Sequence, residues 1–168
     1  AAESLNADIV VMIQGDEPLI TPEMVEMSFQ PLLTDDSIFC TNLVKRIETQ
    51  EEYEDRNTIK VVMDEDGYAL YMSREPIPTL HGKQFSEIAA YKQVCIIPYP
   101  KKTLLEFYHM APTSLEIAES IDMLRIMEHG KRVKMVESTI VTHAVDWIGD
   151  VKTVENLMEN DPVWQVYK

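Results

Sequence analysis

The chain has 168 residues, 45% of them hydrophobic and 26% charged, a length suited to one domain and the composition of a folded rather than a disordered chain. Its formal net charge of −14 argues against nucleic acid, whose binders are expected to be basic, and leaves room for a single nucleotide held through a metal. No apolar run approaches the roughly 20 residues that a membrane helix needs, so no membrane partner is expected.

The opening "AAESLNADIVV" has no basic flank, no signal-like apolar stretch and no initiator Met. It reads as the tail of a helix, and the expectation is a single domain over residues 1–168 that is a piece of a longer protein. Ala7–Ile13 forms the first strand and runs into Gln14-Gly15-Asp16-Glu17-Pro18. Thr21 offers an N-cap, Pro22 suits the first helical position and Glu23 favours the helix dipole, which predicts a helix to about Leu33. A strand follows from Ile38 to near Lys45, and the acidic stretch 48–57 reads as a short surface helix or loop. "TIKVVMDEDGYALYMSREPIP" is a hairpin, with β-rich runs on either side of a turn ending in Gly67. Residues 79–90 read as a polar connection, and "YKQVCIIPY" as a buried strand. Pro100 opens a helix. Residues 113–130 predict one long helix, capped by Thr113 or Ser114 and ended by Gly130. A strand at 131–140 and a final helix after Asp146 complete an alternation that predicts an α/β fold with a mixed sheet. Cys40 and Cys95 sit in apolar stretches without metal-ligand spacing, as buried thiols of a reducing cytoplasm would.

Asp16 stands where open α/β sheets place their ligands, beyond the carboxyl end of a strand. Gly15 lets the backbone bend or be approached closely. The alternative is that Asp16 and Glu17 only cap the turn or helix that follows. "VTHAVDWIGD" repeats the pattern of apolar residues, an acid and then a helix. If Asp146 lies on the same sheet edge as Asp16, the two could share Mg²⁺, which takes one or two carboxylates and phosphate oxygens. The alternative for Asp146 is a helix-leading acid on the surface. The four histidines, 81, 109, 129 and 143, make no paired metal motif and read as structural. There is no Gly-rich phosphate loop and no G-x-S-x-G elbow. Glu116, Glu119 and Asp122 are spaced to share one helix face, which a solvated stripe would also explain.

Together these stretches resemble the cytidylyltransferases that activate acidic sugars, chiefly 3-deoxy-manno-octulosonate (KDO) cytidylyltransferase. "VVMIQGDEPLI" is similar to the family's QGDEP strand, and "NTIKVVMDEDGYALYMSREPIP" to its N-x-VKVV-D-x-x-G-YALYFSR-x-x-IP hairpin. "YKQVCIIPY", "TSLEIAESIDMLRIMEHGKRVKM" and "AVDWIGDVKTVENL" resemble later family segments in the same order. The resemblance implies a nucleotide-diphosphosugar transferase-like fold with a projecting β-hairpin, and formation of a CMP-sugar and pyrophosphate from CTP and an acidic sugar, with Mg²⁺ as cofactor. It implies a homodimer formed partly by the hairpin. Carried over, Asp16 and Asp146 become the catalytic metal ligands. Gln14 and Gly15 line the nucleotide–sugar junction, and Arg74, Gln93, Tyr99 and Glu119 are substrate-binding candidates.

Three departures from the family pattern cover four positions: Gln93 for a His, Asp122-Met123 for a Glu-Gln pair, and Pro98 for a small residue. All lie on the sugar side, so a related acidic sugar is as well suited as KDO. The family's Gly/Arg/Lys-rich nucleotide-gripping loop has no match here, so this stretch alone is expected to be inactive. The competing readings are a non-catalytic relative acting as a binding or assembly module, and a nucleotidyltransferase using another nucleotide.

Overall fold

In the computed structural model, residues 1–159 and 161–167 are described. The spine is strand β2 (Cys40–Arg46), buried along six of its seven residues. Counting from the N-terminus, β1 (Ile9–Ile13) precedes it; β3 (Lys60–Met63), β4 (Ala69–Ser73), β5 (Tyr91–Val94), β6 (Ile96–Pro100) and β7 (Val133–Glu137) follow. β2 pairs antiparallel with β5 and parallel with β7, giving a mixed five-stranded sheet in the order β4-β3-β5-β2-β7. β1 and β6 pair antiparallel as a second, two-stranded sheet. The stretch 91–100 serves both sheets and breaks at Cys95. The Asn42 amide, fully buried on β2, spans that break by donating to the carbonyls of Val94 (2.7 Å) and Ile96 (3.4 Å).

The helices are α1 (Pro22–Phe29), α2 (Gln50–Glu54), α3 (Lys101–His109), α4 (Ser114–Glu119), α5 (Met123–Glu128), α6 (Ile148–Met158) and α7 (Pro162–Tyr167). Thr21 caps α1 as its sequence predicts, accepting from Met24 N at 3.3 Å. The expected continuation to Leu33 is a tighter 3₁₀ turn over Gln30–Leu33. The main core gathers Val44, Val61, Met72, Tyr99 and Leu124, with Met24, Leu43 and Ile96 in a second cluster. Residues 79–90 are less free than their polarity suggests: Leu80, Phe85 and Ile88 pack on Ile47, Tyr53 and Ala90.

Two expectations are corrected. The hairpin does not project as a separate arm. β3 pairs with β5, and the turn reaches β7, where Met135 N donates to Gly67 O at 2.8 Å. Val61, Ala69 and Met72 bury in the main core, and standing free would expose them. Tyr68 seals the closure, its ring lying 3.7 Å from the Arg132 guanidinium carbon and 4.9 Å from Lys134 Nζ. The long helix over 113–130 is two helices, broken at Ser120, which takes the left-handed conformation at φ +55°. The carbonyls of Glu119 and Ser120 leave the helical pattern to accept from Arg74 Nε and Nη2. Tertiary bonds override a local preference worth only tenths of a kilocalorie per residue, about 0–0.7 kcal/mol.

A partly buried ion pair joins the two halves. Arg125 donates from Nε to Glu116 Oε2 at 2.7 Å and from Nη2 to Oε1. The Arg125 hydrogen bonds hold the Glu116 carboxyl below the usual range. A carboxylate whose folded pKa is depressed stabilises above its unfolded value, about 4.3, and that stability is lost as pH falls through the folded value. Glu116→Ala should therefore cost about 1–3 kcal/mol at neutral pH, because a partly buried Arg125 loses its charged partner. In denaturant titrations the deficit should shrink as pH drops below about 4.

Candidate active site

A cleft of about 740 Å³ opens where the β5–β6 break, the end of β1, the α4–α5 junction and the segment 141–150 meet, a size typical of small-ligand pockets. β1 delivers Asp16 to it. Gln14 N donates to Cys95 O at 3.3 Å, turning the chain just after the strand. The next two acids then divide roles. Glu17, 9% exposed, accepts from Cys95 N at 3.0 Å and from Thr142 Oγ1 at 3.2 Å. It ties three parts of the chain together, with each carboxylate oxygen turned to one of these partners rather than to a helix N-terminus. Asp16 does no such work: its Oδ1 is buried and has no hydrogen-bond partner. Since Thr21 caps α1, the capping alternative fails for Asp16.

Asp146 does not close a strand, as its sequence pattern suggests. It lies in an irregular stretch after β7. What brings it to Asp16 is one backbone bond, Val145 N to Asp16 O at 2.8 Å. The helix-leading acid is Asp150, whose Oδ2 accepts from Asp146 N (2.9 Å) and Trp147 N (3.0 Å). The capping alternative therefore falls on Asp150 and leaves Asp146 free. Asp146 stays exposed at the cleft edge, and partial desolvation there raises its pKa, with the charges of Asp16, Asp150 and Asp55 adding to it and Arg74 opposing. Two neighbouring carboxylates, one with an orphaned buried oxygen, suit a divalent cation. Among the described residues no group of three or more His, Cys, Asp or Glu forms a closed metal site. A pair fits Mg²⁺, which keeps positions for water and phosphate oxygens.

The other candidates sort by where their polar atoms point. Gln14, Gln93 and Arg74 line the cleft. A Cβ placed on Gly15 would meet nothing within 4 Å, so protein packing does not demand glycine there. Arg74 spends Nε on Glu119 O (2.7 Å), Nη1 on Arg56 O (3.1 Å) and Nη2 on Ser120 O (3.2 Å). Glu119 turns from the cleft to the hairpin, accepting from Tyr71 Oη, Ser73 Oγ and Arg74 N. Burial opposes its ionisation, but these donors hold its pKa below the usual range. Glu119 is a clamp, and the acid that reaches the cleft from this region is Asp122. Tyr99 is also corrected. It is fully buried, stacked on Phe107, with its hydroxyl 3.9 Å from Met123 Sδ.

The sequence reading missed Lys45 and Lys92, whose ammonium groups stand beside Glu48 (3.2 Å) and Glu52 (2.5 Å) on the cleft wall. Lysines at the ends of apolar strands were the available signal. It also read His143 as structural, whereas that ring lines the cleft, 3.3 Å from Asp150. Cys95 lines the cleft too. Burial, then the charges of Glu17, Asp16 and Asp146, push its thiol up to about 12, so it stays protonated and unreactive at neutral pH.

A family model described as cytidylyltransferase matches residues 1–133. The chain is 40% identical over 162 residues to 3-deoxy-manno-octulosonate cytidylyltransferase of Geotalea uraniireducens strain Rf4, covering 91% of this chain and 64% of that one. It is likewise 40% identical over 166 residues to the enzyme of that name from Chlorobium phaeobacteroides, covering 97% and 66%. The chain thus spans a little under two thirds of the length of these relatives. Among solved structures, CMP:2-keto-3-deoxy-manno-octonic acid synthetase complexed with CTP superposes with a TM-score of 0.82 at 31% identity, over 94% of this chain and 64% of that one. A putative glucose-1-phosphate thymidylyltransferase from Bacillus anthracis shares the fold, with a TM-score of 0.59 at 12% identity over 95% of this chain and 58% of that one. A mixed sheet flanked by helices, an acid pair at its edge and these matches lead to one conclusion: the chain belongs to the cytidylyltransferase family.

Proposed function

We propose that this chain supplies the metal-binding and sugar-facing side of an enzyme that joins CTP to an acidic sugar, KDO or a close relative, releasing pyrophosphate. The observation that carries this reading is the Asp16–Asp146 pair, with its orphaned buried oxygen. The names of the relatives support the sugar class, and the CTP complex of the similar synthetase supports the nucleotide. In the reaction the sugar's anomeric hydroxyl attacks the α-phosphorus of CTP. One P–O bond forms to the sugar, the bond to pyrophosphate breaks, and the hydroxyl proton is lost. Asp16 and Asp146 would hold Mg²⁺, which supplies positive charge where negative charge builds on phosphate oxygens.

The chain's own residues place these two acids without being consumed by them. Glu17 anchors the Asp16 turn to Cys95 and Thr142. Asp150 fixes the backbone at Asp146. Lys60, fully buried, donates to the carbonyls of Asp55 (2.7 Å), Thr58 (2.7 Å) and Arg74 (2.5 Å), and so holds the base of the Arg74 wall. Burial pulls its pKa down to about 8. Of the departures from the family pattern, Pro98 is buried away from the cleft lining, whereas Met123, though almost fully buried, reaches the cleft wall as an apolar surface. The polar contacts that could choose a substrate are then those of Gln93 and Asp122. The homodimer would use the outer strand of the hairpin, β4, where Leu70 is exposed.

The substrate class is tested with the complete gene product, each of the four nucleoside triphosphates and a panel of acidic sugars, following pyrophosphate. Release that requires CTP and an acidic sugar is expected. Release with CTP absent and another triphosphate present would overturn the reading.

Asp16→Asn and Asp146→Asn should each cut turnover about 10²–10³-fold with the fold intact, the loss typical of removing one electrostatic contact to developing charge. Wild-type turnover and Mg²⁺ dependence in both variants would return the acids to a structural role.

A second readout needs no catalysis. The raised Asp146 pKa means that the folded state holds this proton more tightly than the unfolded chain does. The pair's contribution to stability therefore falls as pH rises from about 3.9 through the raised value. Without metal at neutral pH, Asp16→Asn should melt at a higher temperature than wild type, because it removes the like charge. It should also lose most of the upward shift that Mg²⁺ gives wild type. A lower metal-free melting temperature would contradict the repulsion.

A further inference from the structure

Gln93 is the one cleft-lining departure from the family pattern whose hydrogen-bonding sense can be read from its surroundings. Behind it lies Asn42, fully buried on β2. The Asn42 Nδ2 group lies 2.7 Å from Val94 O, 3.1 Å from Leu43 O and 3.4 Å from Ile96 O. Carbonyl oxygens only accept, so the face of the Asn42 amide turned to them must be its NH₂ group. A flipped amide would set oxygen against three oxygens in a fully buried site, at the cost of leaving them unsatisfied. Asn42 Oδ1 is thereby aimed at Gln93, and an acceptor there must meet a donor. Gln93 answers with Nε2 at 2.6 Å. Its backbone is fixed as well, with Gln93 N donating to Ile59 O at 2.9 Å and Gln93 registered opposite Val44.

One polar atom of that side chain remains. Gln93 Oε1 takes no hydrogen bond among the described residues and is not among their buried, unpartnered atoms, while the residue lines the cleft with Met12, Asp122 and Ile121. Lys45 and Lys92, on the neighbouring pair of the same ladder, have carboxylate partners in Glu48 and Glu52. An accessible carbonyl oxygen with fixed orientation accepts from a ligand O–H and repels a carboxylate.

We propose that Asn42 sets the sense of the Gln93 amide, so that Gln93 presents an acceptor to one sugar hydroxyl and selects substrates that donate a hydrogen bond there. Gln93 is the specificity-determining contact and Asn42 a positioning residue. This deepens the acidic-sugar reading above and rests on it. The consequence is directional: a hydroxyl satisfies the site, whereas hydrogen or fluorine at the same carbon leaves Oε1 unpaired, because fluorine cannot donate.

The test uses the complete gene product with CTP and Mg²⁺, and KDO with its monodeoxy and monodeoxyfluoro analogues at each hydroxyl other than the reacting one. The readout is kcat/KM. In wild type, one position should show losses of about tenfold or more for both analogues, as a single hydrogen bond to a site left unpaired implies. In Gln93→Met the loss at that position should shrink to within about threefold, with the other positions unchanged. Asn42→Ser, checked by circular dichroism and melting, frees the Gln93 amide to turn and offer its NH₂ group. It should erase the hydroxyl-over-fluorine preference even where overall activity falls, which a merely structural role would not do. If Asn42→Ser does not fold, the Gln93→Met comparison decides. Fluoro analogues turned over as well as the parent at every position, or a position-specific loss unchanged in Gln93→Met, would overturn the proposal. Pyrophosphate release with CTP and other acidic sugars but not KDO moves the same comparison to the analogues of the sugar accepted. No release with any acidic sugar would instead sink the substrate class, and this inference with it.

Discussion

The carboxylate of Glu17 is the joint on which the cleft depends. One oxygen takes the amide of Cys95, where a single stretch of chain leaves the large sheet and enters the small one. The other takes the hydroxyl of Thr142, at the start of the segment that carries Asp146. A buried carboxylate is tolerated only when its lone pairs are engaged, and here the engagement sets the geometry. The Glu17 bonds and the Val145–Asp16 backbone bond bring the segments that carry Asp16 and Asp146 together. Neutral side chains could form some of these bonds. A carboxylate forms them more strongly, since hydrogen bonds to an ionised acceptor are roughly twice as strong as neutral ones.

The result is local destabilisation held in place by its surroundings. Asp146, though exposed, is harder to ionise than a free aspartate because it is partly desolvated and lies near the charge of Asp16. The neighbouring groups that could relieve it are occupied: Asp150 is spent on two backbone amides and His143, and Arg74 on three carbonyls. Sites that act on developing charge commonly carry such strain, at the expense of stability. The same logic governs Ser120. Its left-handed backbone is unfavourable for a serine, yet the break it makes frees two carbonyls for Arg74 and brings Asp122 into the cleft.

Much of this was legible in the sequence, because periodicity and caps are local. The run Ile9–Ile13, the Thr21-Pro22 cap, the Gly67 turn and the Gly130 stop all lie where their residues predict. The acid pair was legible as a pattern, although only one of its two acids ends a strand. What stayed hidden is long-range. A helix pattern over 113–130 cannot announce that Arg74, far away in the chain, will take its carbonyls. The hairpin's alternation shows one apolar face but not which sheet will cover it. Tyr99 resembled a family contact by position, and its burial depends on Phe107 and Met123 from elements that fold against it. Gln14 and Glu17 differ by three residues, and no local rule says that the first opens to the cleft while the second becomes its joint.

The charge of the cleft gives the acid pair its chemical sense. The proposed ligands, a triphosphate and an acidic sugar, would be anions, and the wall they would face is already rich in carboxylates. Its lysines do little to offset this, since Lys45 and Lys92 stand 3.2 and 2.5 Å from glutamate oxygens. Arg74 keeps its charge but has directed three donors to the protein's own backbone. An anion brought beside Asp16 and Asp146 without a cation between them would meet repulsion on the order of 4 kcal/mol per pair of unit charges at 4 Å near a protein surface. A divalent ion reverses the sign of that interaction. Under the proposed reading, the two acids that repel each other would together attract it, and the orphaned oxygen of Asp16 would gain a partner. On the proposed reading, the lack of uncommitted positive charge would make binding of an anionic substrate conditional on the metal, because the lysines are paired internally and Arg74 is turned to backbone carbonyls.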